Sequence, residues 1–89
     1  RDRTVIGGDD PIAGALEGAG YQSLAVESPA FLPAALHKLQ APLLAIVVSR
    51  SDEAAFAQAA AGLGHEDLVH GIDYLEEIDF LLPELDAKL

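Results

Sequence analysis

The stretch Thr4-Val5-Ile6-Gly7-Gly8-Asp9-Asp10-Pro11 decides the fold. Three residues of high strand propensity run into a Gly-Gly turn, and a proline follows where its missing N–H costs a helix nothing. Asp10 is placed to cap that helix, with Pro11 as its first residue. Ile12, Ala15, Leu16 and Ala19 then recur at i, i+3, i+4 and i+7, which gives the helix one buried stripe. Gly20 stands at its end, where a left-handed cap belongs. Residues 21–26 read as a second strand.

The same grammar recurs twice. Ser28-Pro29 repeats the cap and first-turn proline, and Leu32, Ala35, Leu36 and Leu39 repeat the stripe, with Phe31 beside it. Gln40-Ala41-Pro42 stops this helix. Residues 43–48 are apolar throughout and rich in β-branched side chains, as in a central strand covered on both faces. Ser51 begins a third helix, with Asp52 and Glu53 in its first turn, where the helix dipole favours negative charge. Phe56, Ala59, Ala60 and Leu63 form its stripe, and Gly62 and Gly64 end it. Residues 66–72 read as a fourth strand; Asp73 then caps a short helix carrying Tyr74, Leu75 and Ile78, and Pro83 starts a terminal one.

These elements predict an α/β fold: one three-layer domain over residues 1–89 with a four-stranded parallel sheet, β-α-β-α-β-α-β, and short C-terminal helices. Strand order 2-1-3-4 places the Val-rich strands inside and the less apolar second strand and the last strand at the edges.

Composition removes whole classes of function. The chain has no cysteine, so disulfides, a thiol nucleophile and zinc–thiolate sites are excluded, and a cytoplasmic setting fits. The longest apolar stretch, residues 41–48, falls far short of the roughly 20 residues that span a bilayer. Arg1 opens the chain and methionine is absent, so a domain excised from a larger protein is expected, with that protein's other domains as partners. Fifteen acidic residues against five basic ones give a net charge of −10, a field that repels nucleic acid. Eight of the acids fall between Glu66 and Asp86, as a solvated surface or, more sharply, as an acidic docking face for a basic partner.

In an open parallel sheet, ligands bind beyond the carboxyl ends of the strands where strand order reverses, here between strands 1 and 3. The predicted lining is Gly7, Gly8, Asp9 and Asp10 after the first strand and Ser49, Arg50 and Ser51 after the third. Glu27 and Ser28 flank it, and His70 lies near the end of the fourth strand. A G-x-G-x-x-G cradle is not present: counting from Gly7 gives Asp9 and Ile12 at the next two positions, and counting from Gly8 gives Asp10 and Ala13. Two carboxylates also occupy the positive helix end that a phosphate would use.

The glycines, Gly14 and Gly18 included, read first as turn and packing residues, and Asp9 and Asp10 read first as caps, with a divalent cation as the alternative. Arg50 offers the one anion clamp, or else pairs with Asp52 or Glu53. No nucleophile accompanies His37, His65 or His70 in sequence, so no catalytic residue is assigned.

Taken with Gly20-Tyr21, Ser28-Pro29 and Leu63-Gly64-His65, the opening Val5-Ile6-Gly7-Gly8-Asp9-Asp10 resembles the small Rossmann-like domains attached to bacterial sugar-modifying enzymes and methyltransferases. The resemblance implies a non-catalytic binding or accessory domain of a larger bacterial protein, with a nucleotide or sugar nucleotide held at Gly7, Gly8 and Asp9. Asp9-Asp10-Pro11, with Gly20-Tyr21 through Glu27-Ser28, is also similar to the receiver domains of response regulators. Receivers carry a phosphoacceptor aspartate at the end of strand 3, where this chain has Val48-Ser49. That likeness implies a pseudo-receiver or other protein-interaction module working without phosphorylation.

Overall fold

Two apolar clusters, one on each face of a parallel sheet, hold the chain together. The structure is a computed structural model and describes residues 4–39 and 43–88. Its strands are β1 (Thr4–Gly7), β2 (Gln22–Ala25), β3 (Leu43–Ser49) and β4 (Val69–Ile72), and its helices are α1 (Asp10–Gly18), α2 (Leu32–Lys38), α3 (Arg50–Ala61) and α4 (Ile78–Ala87). All strand pairs are parallel, in the expected order β2-β1-β3-β4. The predicted stop at Gln40-Ala41-Pro42 lies outside the described residues.

Chain direction across the sheet reverses after β2, and right-handed crossovers then require α1 on one face and α2 and α3 on the other. The core divides in that way. Val5, Ile12, Leu16, Val47 and Ile72 pack with Ile78 and Leu85 of α4, while Ile6, Leu32, Ile46 and Val48 pack with Phe56 and Ala60 of α3. Successive residues of a strand alternate faces, so β1 and β3 feed both clusters, as their unbroken apolar runs require. Between Thr4 and Val5 the register with β3 slips, and Leu44 and Ala45 both join the α1/α4 side.

Turn chemistry follows the sequence at two glycines: Gly20 (φ 98°) and Gly64 (φ 79°) take the left-handed conformation just beyond α1 and α3. Several boundaries differ from expectation: Ser28-Pro29 opens a 3-10 turn (Pro29–Phe31) before α2, β2 is shorter than residues 21–26, and Tyr74, not Asp73, stands at the cap of the turn after β4. Asp9, not Asp10, caps α1, because Asp9 has the extended backbone (φ −157°, ψ 173°) that lets its carboxylate reach the Ile12 amide at 2.9 Å. Ser49 ends β3 and α3 starts at once with Arg50, one residue before the predicted Ser51, with no connecting loop.

The fourth strand is shorter than residues 66–72, since a 3-10 turn at Glu66–Leu68, closed by the Leu68 amide on the His65 carbonyl, precedes β4. Pro83 does not start a helix but lies inside α4, which follows a 3-10 turn at Leu75–Glu77. Ile78, Leu81, Leu82 and Leu85 form one apolar stripe across it, and Pro83 sits on the opposite, exposed side, so burial overrides a local helix breaker. Two predicted stripe residues also stay outside the core: Ala19 is exposed and Leu63, past the end of α3, is 40% exposed.

Side-chain ties fix α4 along the sheet. The Tyr21 hydroxyl donates to the Asp86 carboxylate, and Lys88 Nζ donates to the Leu44 carbonyl at 3.0 Å, so the C-terminal end of α4 is fastened beside the amino ends of β2 and β3. No helix among the described residues is long and apolar enough to cross a membrane.

Candidate functional site at the carboxyl ends of the strands

Gly7 and Gly8 bring β1 to the switch point, and each is required there by a close approach. A Cβ on Gly7 would stand 2.7 Å from the Ala13 backbone nitrogen of α1, and one on Gly8 would stand 2.9 Å from Val48 Cγ1 of β3. The glycines thus let helix and strand pack closely. The Gly8 amide donates to the Val47 carbonyl at 2.7 Å, which extends the β1–β3 pairing past the strand and uses that N–H.

The helix end beyond it is also occupied from within. Asp9 accepts the Ile12 amide with its side chain and the Ala13 amide with its carbonyl (3.0 Å), and Pro11 has no N–H. The Ala13 bond is the ordinary first bond of the helix, so the donor that the cap withholds from a phosphate is the Ile12 amide. Asp10 points its charge into an exposed first turn. Among the described residues no group of three His, Cys, Asp or Glu side chains is placed to hold a metal ion.

Ser49 is the extended residue before α3 and makes no side-chain capping bond. Arg50 reaches neither Asp52 nor Glu53. Its Nε donates to both oxygens of Asp73, each at 3.0 Å, and both side chains are half exposed, so the pair is a link between the ends of β3 and β4 and contributes little stability. Glu77 completes the group by accepting the Asp73 amide at 2.6 Å and the Tyr74 amide at 2.7 Å. The Tyr74 bond, then the Asp73 bond, hold the Glu77 carboxyl below its usual range, with Arg50 adding to the effect. Asp73 and Glu77 were not among the residues expected at the crevice. The available signal was positional: Asp73 follows its strand directly, as Arg50 does.

His70 is not at the carboxyl end of β4. It pairs with Val47, level with Gly7, while Ile72 pairs with Ser49 at the strand ends. Alternation puts its ring on the face of Ile72, toward α4, where its Nε2 is buried with no hydrogen-bond partner among the described residues. Burial lowers its pKa first, and Lys88 lowers it further, against smaller opposing effects of Glu84 and Glu53.

The consequence for stability has a definite sign. The unfolded chain takes up this proton near pH 6.5, roughly the ordinary histidine value, while the fold resists it. Stability is therefore full above that pH and declines as pH falls through it, levelling only below the depressed folded value. Urea unfolding should show this loss in the natural chain and a flatter profile in His70→Gln; equal slopes for the two would remove His70 as the cause.

A concavity of about 390 Å³ lies elsewhere, between the end of edge strand β2 and α2. Leu24, Ala25, Val26, Phe31, Ala34 and Ala35 line it, with Glu27 and Lys38 as its charged residues. Glu27, expected to flank the crevice, thus borders this hollow.

The geometry defines a class: a four-stranded parallel α/β/α domain in which Asp9 caps the helix after β1 and an Arg50–Asp73 ion pair links the ends of β3 and β4. No protein-family model matches the chain, and no curated protein or solved structure matches it.

Proposed function

We propose that this chain is a non-catalytic, Rossmann-like accessory domain of a larger bacterial protein, acting in the cytoplasm through protein contact in the manner of a pseudo-receiver. One observation carries the reading. The Asp9 carboxylate takes the Ile12 amide and sets its negative charge at the start of α1, and Gly8 gives its amide to Val47, so two donors and the positive helix end that a phosphate would use are engaged. Arg50, the cation nearest that crevice in sequence, is held by Asp73, which supports the same reading. The phosphoacceptor position of a receiver is Ser49 or its neighbour Val48, neither of which can form an acyl phosphate.

A titration of the isotope-labelled chain with a nucleoside triphosphate and a UDP-sugar, followed by amide NMR, tests it. The signals of Gly7, Gly8 and Arg50 are expected to stay in place. A saturable shift at those three would overturn the contact reading and return the domain to nucleotide or sugar-nucleotide binding.

A further inference from the structure

On the outward side of α4, Phe80 is 78% exposed, and at the start of the same segment Tyr74 is 72% and Leu75 45% exposed. Large apolar side chains this open are unusual when grouped on one segment, and grouped ones mark contact surfaces. The charged residues of the segment from 73 to 86 are all acidic. Glu84 stands four residues after Phe80 on the same face of α4, Asp79 adjoins Phe80, and Glu76 lies in the 3-10 turn just before the helix. Among the described residues none of these three acids has an ion-pair partner. No lysine or arginine occurs from residue 66 to 86.

We infer that the exposed segment from Tyr74 to Glu84 docks a basic amphipathic segment of a partner protein, whose apolar residues cover Phe80 with Tyr74 and Leu75 while its Lys or Arg residues meet the acids. The inference rests on the accessory-domain reading and gives it a surface. Charge decides the occupant. A second copy would set acid against acid in chains that each carry −10, and nucleic acid or an anionic membrane would be repelled in the same way. A neutral apolar partner would leave Glu76, Asp79 and Glu84 facing an interface without counter-charges. The face is firmly presented, because Tyr21–Asp86 and Lys88–Leu44 pin the far end of α4 to the sheet.

The test uses a synthetic helical peptide with leucines on one face and lysines on the other, titrated into the labelled chain and into a Phe80→Ser variant. Phe80 is exposed, so that variant should keep the native amide spectrum. Amides from Tyr74 to Glu84 are expected to shift, affinity should fall about tenfold or more in Phe80→Ser, and added salt should weaken binding.

Three results overturn the inference: no shift in this segment, equal binding by a peptide whose leucines are replaced by serine, or equal binding by one whose lysines are replaced by glutamate. Shifts confined to the hollow between β2 and α2 would sink it while leaving the accessory reading intact. Shifts at Gly7, Gly8 and Arg50 with nucleotide would instead sink that reading.

Discussion

Phe56→Ala is expected to destabilise the domain by about 3–5 kcal/mol. Phe56 is the largest fully buried side chain, with none of its surface exposed. It projects from α3 into the cluster formed by Ile6 of β1, Leu32 of α2, and Ile46 and Val48 of β3, so its removal opens a cavity where four elements meet. A domain of this length holds roughly 0.05–0.15 kcal/mol per residue of net stability, and the loss would take about a fifth of the total or more. Urea unfolding should show a much lower midpoint with a similar slope. Phe56→Leu, which keeps most of the volume, should cost about 1.5 kcal/mol or less. A loss below about 1 kcal/mol for the alanine variant would mean that α3 is not seated on the sheet as described.

Gly7→Ala is the second large effect, at about 1–3 kcal/mol, and its cause is different. The added methyl would lie 2.7 Å from the nitrogen and 2.9 Å from the Cα of Ala13, both backbone atoms of α1, so the helix itself would have to move. Gly14, one residue further along α1, supplies the control. A Cβ there meets nothing within 4 Å, so Gly14→Ala should stabilise by roughly 0.5–1 kcal/mol through helix propensity alone. Thermal melts should move in opposite directions for the two variants. If both moved upward, the close approach of β1 and α1 would be wrong.

These effects rest on features of unequal visibility in the sequence. The β-α-β-α-β-α-β order and the buried stripes of α1 and α2 were legible, because apolar period and turn residues are local signals. Placement of the Asp9 cap was not legible. Asp9 and Asp10 are equally good caps as residues, and the choice depends on Gly8, which is held against Val48 and bonded to Val47 so that Asp9 leaves the sheet extended. Pro83 misled for a related reason. Proline is a breaker in isolation, but the stripe from Ile78 to Leu85 buries enough apolar surface to carry the helix through it.

The candidate site divides in the same way. Gly7, Gly8, Asp9, Asp10, Ser49 and Arg50 fall at the ends of β1 and β3 or in the residues that follow them, as topology alone requires, and His70 is set apart inside β4. The partner of Arg50 lies 23 residues away, beyond the range of any helical or strand spacing.

By itself the sequence determined which elements form, their parallel order and the crevice to inspect, since these follow from periodicity, propensity and crossover handedness. Only the tertiary structure decided which partners the groups at the strand ends take: a cap from Asp9, a strand bond from Gly8, and the Arg50–Asp73 pair. The reason is physical. Hydrogen-bond donors and charges are assigned by distance in space, and the sheet brings together strand ends that the chain keeps far apart.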